Sequence, residues 1–226
     1  MFFAGRINGI MKISNMQTFY SFFPRLLFAL SAAGLLSVQG VAQADLNDGL
    51  VASWSFEGDL IDHAGNGHDG TAQGATFTAD RFNRPGRACG FNGTTDYIAV
   101  AGASSLQMTH EITIVAWINC SGGGPWNPRI VSYGGNCPAD LFGYELLTAG
   151  SGASRQLMFI YSDKSITSSQ SIPEKTWHFV AGVANSHSLS IYLDGSLDST
   201  VETTPGGFRY GDSPLFIGNK IGRAHV

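Results

Sequence analysis

The chain has 226 residues, of which 43% are hydrophobic and 13% are charged. This balance excludes an intrinsically disordered chain, which needs low hydrophobicity and high charge, and a charge-rich helical bundle or coiled coil. The net charge is −4, but residues 1–44 hold three basic and no acidic residues, so 10 basic and 17 acidic residues remain in 45–226, a net charge of −7. A nucleic-acid partner, which favours a basic surface, is therefore not expected.

Residues 1–44 are predicted to be a secretory signal peptide. Lys12 and Arg25 form its basic start, and residues 26–38 form an apolar segment that is short for a membrane span, which needs about 20 residues. Ala42-Gln43-Ala44 is a cleavage site of the A-x-A type.

Cleavage there would release a mature chain, residues 45–226, without a membrane span. We therefore expect a protein that is secreted or that reaches the cell surface or periplasm. The alternatives are a retained membrane anchor and a start of translation at Met11 or Met16.

The three cysteines are an odd number for a protein in an oxidising compartment. One disulfide and one free thiol is the simplest arrangement. Cys120 and Cys137 flank a glycine-rich connection and are the preferred pair, which leaves Cys89 free. No C-x-x-C pair and no His/Cys cluster occurs in the sequence, so a zinc site is not expected.

Short runs of alternating large and small residues recur along the mature chain, as in strands with one buried face. Turn signals separate the runs, and no amphipathic helix of useful length occurs. The predicted strands are 50–56, 88–91, 97–100, 112–118, 130–133, 144–148, 156–161, 177–183, 189–193, 197–203 and 214–217. This pattern predicts an all-β sandwich or jelly roll. Trp54, Trp117 and Trp177 alternate with small residues in these runs and are expected in the core.

Several segments together resemble one family. They are LVASWSFE (50–57), DHAGNGHDG (62–70), FNGTTDYI (91–98), ITIVAWI (112–118), KTWHFVA (175–181), IYLDG (191–195) and PLFIG (214–218). In this order they resemble the LamG-like jelly-roll domain of the concanavalin A-like lectin/glucanase superfamily. The resemblance implies a sandwich of two antiparallel sheets in residues 45–220.

The resemblance also implies a closing strand that the sequence lacks. After Lys220 the chain reads IGRAHV, residues 221–226. Part of a widely used sequencing adapter translates to the same six residues followed by a stop. We therefore predict that 221–226 is adapter read-through and that the domain in 45–220 is truncated. The alternative is a natural polar C-terminus.

The turn-rich loop at 62–70 is a candidate calcium site. Glu57, Asp62, Asn66 and Asp69 offer the oxygen ligands that Ca²⁺ prefers. The resemblance supports this hypothesis, because relatives often hold calcium at this loop. The alternative is a tight turn in which the Asp and Asn side chains accept hydrogen bonds from their own backbone.

Trp126 is the first candidate for ligand binding. It lies in a loop rich in glycine and proline, and exposed aromatic side chains stack on sugar rings. Tyr133 and Tyr144 are secondary candidates. The alternative for Trp126 is packing against the rim of the sandwich.

No catalytic residues are predicted. Glu57, Asp59 and Asp62 resemble the E-x-D-x-x-E signature of related glucanases, but a retaining glycosidase needs two carboxyl groups about 5–5.5 Å apart on one face, and a turn is expected here. His178 and His187 are not accompanied by a nucleophile motif.

The sequence therefore favours a secreted, non-catalytic binding module for a carbohydrate or for a cell-surface or matrix protein, with a structural calcium as an option. The alternatives are a catalytic glycoside hydrolase of the same fold and a structural spacer domain of a larger surface protein.

Overall fold

The structure, a computed structural model, describes residues 4–14, 48–121, 127–134, 143–150 and 155–218. For residues 4–14 and for Ser121, only the backbone is described. The predicted cleavage site at 42–44, Trp126, Cys137 and the tail 221–226 lie outside the described residues.

The described residues form short strands and one 3₁₀ turn, Ser104–Leu106, and contain no α-helix. No described helix is long and apolar enough to cross a membrane. The strands are β1 (Ala4–Ser14), β2 (Leu50–Trp54), β3 (Gly70–Gln73), β4 (Thr76–Thr78), β5 (Ala88–Phe91), β6 (Tyr97–Val100), β7 (Ile112–Ser121), β8 (Arg129–Tyr133), β9 (Tyr144–Ala149), β10 (Gln156–Tyr161), β11 (Lys164–Ser171), β12 (Trp177–Ala184), β13 (Ser188–Leu193), β14 (Ser196–Glu202) and β15 (Leu215–Ile217).

These strands form two antiparallel sheets. The first sheet has the order β14-β13-β12-β7-β1-β5-β4, and β2 pairs with β1 beside this path. The second sheet has the order β11-β10-β9-β8-β15-β6-β3. The architecture is the antiparallel sandwich that the sequence predicts.

The core lies between the two sheets and is built by alternate residues of each strand. The residues buried in it include Ile114 and Ile118 of β7, Leu146 of β9 and Phe159 of β10. The sheets approach closely at Gly182 of β12, where an added Cβ would lie 2.7 Å from the Phe159 ring. A side chain at position 182 would therefore force the sheets apart.

Every strand that the alternation predicts is present, with ends within three residues of the prediction. Four further strands, β1, β3, β4 and β11, are not predicted. β3 and β4 are short and adjoin glycine-rich turns, which hide the alternation. β11 consists mostly of serine and threonine, because it is an edge strand that buries little apart from Ile166 and Ser168.

The prediction that three tryptophans lie in the core is correct for Trp54 and wrong for the other two. Trp54 is fully buried, and its indole N–H donates to the His68 carbonyl oxygen at 2.8 Å. Trp117 and Trp177 are half-buried and lie outside the core cluster. Trp117 is on the outer face of the first sheet, where the Arg81 guanidinium lies 4.6 Å from its ring centre.

β1 lies within the segment that is predicted to be a signal peptide. It occupies the middle of the first sheet, with β7 on one side and β5 and β2 on the other. The structure thus places a strand where the sequence predicts only a targeting segment. The leader and its cleavage remain predictions.

The edge strands of the two sheets, β11 and β14, meet at Asp198. This carboxylate accepts hydrogen bonds from the backbone N–H groups of Ser169 at 2.6 Å and Gln170 at 3.1 Å, and from the Ser169 hydroxyl at 3.1 Å. One side chain of the first sheet therefore joins the edge of the second.

Candidate functional site

The loop after β2 folds around one carboxylate. Asp62 is 4% exposed, and its Oδ1 accepts hydrogen bonds from the backbone N–H groups of Ser53 (3.0 Å) and Ala64 (2.9 Å). Its Oδ2 accepts from the N–H groups of Asn66 (3.1 Å) and His68 (3.2 Å). A carboxylate has about four acceptor sites, and these four donors occupy them.

The other three predicted calcium ligands are also engaged. The Asn66 side-chain amide donates to two carbonyl oxygens of β2, and Asp69 Oδ1 accepts from the Asp62 N–H at 2.8 Å. Glu57 pairs with Arg87 at 2.6 Å. The described residues contain no group of three or more His, Cys, Asp or Glu side chains that could hold a metal ion. This donor set does not fit Ca²⁺, and the contacts are those of the alternative, a tight turn.

We therefore expect stability to be independent of calcium. The midpoint of thermal unfolding should be the same in EDTA and in millimolar Ca²⁺, with Mg²⁺ as the control. A site with Ca²⁺ at about 100 times its Kd would add about 2.7 kcal/mol of stability and raise the midpoint clearly. A calcium-specific rise of several degrees would restore the calcium hypothesis.

The two tyrosines predicted as ligand contacts are in the core. Tyr133 and Tyr144 are 1% and 0% exposed, and their rings pack edge to face with centroids 5.8 Å apart. Tyr133 lies two positions from Val131 in β8, and Tyr144 lies two positions from Leu146 in β9. Both tyrosines therefore face the opposite sheet, as these core residues do. Burial raises the pKa of Tyr144 well above its usual value. Neither can contact a sugar in the folded protein, and that prediction is corrected.

The preferred disulfide is not supported. Cys120 carries a free, buried thiol in the structure, as does Cys89, and Cys137 lies outside the described residues. Burial raises the pKa of both thiols to about 12, so both are unreactive while the sandwich is closed.

A different group of residues meets on the outer face of the second sheet, the face turned away from the core. One row crosses the sheet from Ile160 of β10 through Glu145, Ser132 and Phe216 to Ala99 of β6. Their neighbours along the strands are buried in the core, so these side chains face outward. We call this row, with the adjacent Arg129 and Tyr97, the outer-face site.

The middle of the outer-face site is polar and buried. Glu145 is 3% exposed, and its Oε2 lies 2.9 Å from Arg129 Nε. Burial raises the pKa of Glu145 above its usual value, although the charge and the hydrogen bond of Arg129 act to lower it. Ser132 Oγ is buried beside them without a hydrogen-bond partner among the described residues. The site therefore holds a buried ion pair and an unused hydroxyl.

Aromatic side chains flank this polar centre. Tyr97 and Phe216 are half-buried and pack edge to face, with ring centroids 5.4 Å apart. Neither residue is predicted from the sequence as part of a site, although the alternation of inward and outward positions along the strands indicates where both lie. Tyr97 precedes Ile98 and Phe216 lies between two core residues of β15, so both belong to the face opposite the core.

The described residues of the outer-face site do not provide the carboxylate pair of a retaining glycosidase. Glu145 is the single carboxylate in the described strands of the second sheet, and it is paired with Arg129. Glu57 and Asp59, which the sequence assigns to a turn despite their likeness to the glucanase signature, have other partners. Glu57 pairs with Arg87 at 2.6 Å, and Asp59 Oδ1 lies 3.3 Å from His63 Nε2.

Of the two histidines considered for catalysis, His178 lies near the start of β12 and His187 lies in a turn. His178 Nδ1 contacts Asp194 Oδ2 and its Nε2 contacts Thr176 Oγ1, each at 2.9 Å, but the threonine hydroxyl also donates to the Pro173 carbonyl oxygen. These contacts hold the start of β12 against the turn that follows β13. His187 is exposed in the turn between β12 and β13.

The fold and this site define an antiparallel two-sheet sandwich with a polar and aromatic outer face. A family model, Laminin_G_3, described as the concanavalin A-like lectin/glucanases superfamily, matches residues 92–225, more than half of the chain. The chain belongs to this family, as its sequence motifs predict. No curated protein matches the chain.

Solved structures share the fold at low sequence identity. Domain 4 of AbnA, a GH43 extracellular arabinanase from Geobacillus stearothermophilus solved with arabinotriose, has a TM-score of 0.55 at 15% identity over 74% of this chain and 82% of that one. The binding domain of botulinum neurotoxin DC, solved with rat synaptotagmin II, has a TM-score of 0.54 at 16% identity over 78% and 45%. The binding domain of Paraclostridial Mosquitocidal Protein 1 has a TM-score of 0.53 at 15% identity over 72% and 42%.

The chain spans less than half of the length of the toxin binding domains that it matches. At these identities the likeness shows the fold alone.

Proposed function

We propose that the chain is a secreted, non-catalytic binding module that takes a carbohydrate at the outer-face site. The observation that carries this proposal is the half-buried aromatic pair Tyr97–Phe216 on a face that also holds Arg129, whose side chain is 17% exposed. Carbohydrate sites combine an aromatic surface for the apolar face of the sugar with a few fixed polar groups for its hydroxyls.

Three further considerations support the proposal. The predicted leader would deliver the chain to where extracellular glycans occur. The net negative charge favours a neutral ligand over an anionic one. The arabinanase domain of the same fold was solved with arabinotriose. The neurotoxin domain solved with synaptotagmin makes a protein partner the alternative.

Alanine in place of Tyr97 or Phe216 should weaken glycan binding at least about tenfold, which is about 1.4 kcal/mol. Titration calorimetry with arabinotriose and with xylo- and gluco-oligosaccharides of the same length would measure this effect. Phe82→Ala is the matched control, since Phe82 is 62% exposed and lies outside the site.

Equal binding by the wild type and both variants would show that the sugar binds elsewhere. Release of shorter sugars would favour a glycoside hydrolase, and failure to bind any sugar would favour a protein partner or a spacer.

A further inference from the structure

The loop that joins β4 to β5, residues 79–87, is held in one shape by a buried carboxylate. Asp80 is 1% exposed, and its Oδ1 accepts hydrogen bonds from the backbone N–H groups of Phe82 and Arg84, both at 2.8 Å. Its Oδ2 lies 2.7 Å from Arg84 Nε and from Arg84 Nη2. The Asp80 N–H also donates to the Arg84 carbonyl oxygen at 3.1 Å. The side chains at the tip of the loop are therefore presented by a fixed backbone.

Two arginines of this loop stack on aromatic rings. The guanidinium carbon of Arg81 lies 4.5 Å from the ring centre of Phe82 and 4.6 Å from that of Trp117 in β7. The guanidinium carbon of Arg84 lies 5.2 Å from the Phe82 ring centre. Trp117 is supported in turn by Phe179 of β12, whose ring centre is 5.6 Å away. We call Arg81, Phe82, Arg84 and Trp117 the arginine–aromatic site.

The arginine–aromatic site is accessible from solvent. Phe82 is 62% exposed, the Arg84 side chain is 50% exposed, and Arg81 and Trp117 are half-buried. A phenyl ring that stays in water contributes little to folding, since the hydrophobic gain comes from burial. Aromatic and arginine side chains are enriched at binding surfaces, and a ligand that meets side chains already held in place loses less conformational entropy.

The loop is a positive region of an acidic chain. Residues 80–87 contain three arginines and one acidic residue, whereas 45–226 has a net charge of −7. Two of the arginines are paired with carboxylates, Asp80 and Glu57, and the third, Arg81, lies between the two rings. Salt screens charges beyond about 8 Å at physiological ionic strength. An anion at the loop therefore interacts with these arginines more strongly than with remote acidic residues.

Arg81 has the geometry that recognises a carboxylate. A guanidinium held between two rings has its N–H donors along its edges, where a carboxylate accepts two of them in parallel. A planar guanidinium can stack and bind bidentately at the same time, and the ammonium group of lysine cannot. The rings thus orient the group that would meet the ligand.

We propose that the arginine–aromatic site binds an acidic polysaccharide, a polymer of carboxylated sugars. Arg81 binds a carboxylate, and Phe82 and Trp117 hold the guanidinium in place. Arg84 adds a second positive charge at most 9.7 Å from the first, the sum of the two distances to the Phe82 ring centre. This inference goes beyond the proposed function, because the site lies on the other sheet and takes a charged ligand. A neutral oligosaccharide lacks the carboxylate, so its binding does not involve this site.

A repeating polymer suits this site better than an acidic protein does. The site consists of four side chains around one loop, whereas a stable protein interface buries about 800 Å² on each partner. A polysaccharide with a carboxylate on each sugar offers the same group many times, so a chain that leaves the site is rebound at a neighbouring sugar. A small site can therefore retain a repeating ligand.

The test compares one polymer with and without its charge. The full chain is run in native gels that contain polygalacturonate or the same polymer fully methyl-esterified, and retardation gives the affinity for each. The variants are Arg81→Gln, which removes the charge, and Arg81→Lys, which keeps the charge but loses the planar donor group. The matched control is Lys164→Gln, which removes a positive charge that pairs with Asp163 on the second sheet. Thermal unfolding checks that each variant is folded.

We expect the wild type to bind the acidic polymer at least about tenfold more tightly than the ester, and Arg81→Gln to lose this preference. Arg81→Lys should weaken binding at least about threefold, and Lys164→Gln less than about twofold. Equal affinities of the wild type and Arg81→Gln for the acidic polymer would overturn the proposal, as would equal losses in Arg81→Gln and Lys164→Gln. Poly-L-glutamate bound through Arg81 as tightly as polygalacturonate would also overturn it, in favour of an acidic protein partner.

Discussion

Replacing Asp62 by alanine is expected to lower the free energy of unfolding by about 4 kcal/mol. The substitution leaves four backbone N–H groups without their acceptor, in a loop where the carboxylate itself is buried. Hydrogen bonds to a charged group contribute about 1.5–3 kcal/mol each, and water can replace part of that at the exposed end of the loop. Urea unfolding followed by tryptophan fluorescence would measure the loss.

Asp59→Ala is the matched control, since Asp59 is a surface carboxylate of the same loop that contacts the Ile61 N–H and His63. It should cost less than about 1 kcal/mol. If Asp62→Ala fails to fold, Asp62→Asn, which keeps one acceptor oxygen, should show about half of the loss. Equal effects at positions 59 and 62 would refute the turn interpretation.

Replacing Arg129 by methionine is expected to cost about 3 kcal/mol at pH 8, because it leaves Glu145 ionised, buried and without its charge partner. The double variant Arg129→Met, Glu145→Gln should recover most of this loss, because it removes both charges. Chemical denaturation of the wild type, both single variants and the double variant completes a double-mutant cycle. A double variant as unstable as Arg129→Met would show that the arginine acts through packing.

The same variants should differ in their dependence on pH. Burial raises the pKa of Glu145 in the folded protein above the usual value of 4.5, so the folded state binds the proton more tightly than the unfolded state does. The contribution of Glu145 to stability is therefore most favourable below pH 4.5 and declines as the pH rises to its folded pKa. Arg129→Met should deepen this decline, and Glu145→Gln should abolish it.

The fold could be predicted from the sequence because its strands bury one face and therefore alternate. The strand prediction failed where the alternation that comes from burying one face is absent. β11 is an edge strand of serines and threonines, and β1 lies in a segment whose sequence predicts a secretory leader. For Tyr133 and Tyr144 the residue type suggests a ligand contact, but their positions in β8 and β9 alternate with the outward-facing residues and place both in the core.

The site was less predictable. Glu145 lies between two core residues in a run that reads as a buried strand, and nothing local shows that Arg129, 16 positions away, pairs with it. The sequence shows that Asp62 lies in a turn-rich loop, but the calcium hypothesis and the turn interpretation differ in where its carboxylate oxygens point. That direction depends on β2 and on the backbone around Ala64 and His68, and no spacing rule contains it.

The hydrogen bonds between Asp198 and β11 affect the tendency of the protein to aggregate. An edge strand of mixed serine and threonine is a template for pairing with a second molecule, and this carboxylate occupies the N–H groups that such pairing would use. Burial acts to raise the pKa of Asp198, but hydrogen bonds from Ser199, Ser169 and Gln170 outweigh it and hold that pKa below its usual value. At neutral pH the ionised carboxylate thus holds two N–H groups of β11, and acid that protonates it should free them for pairing with a second molecule.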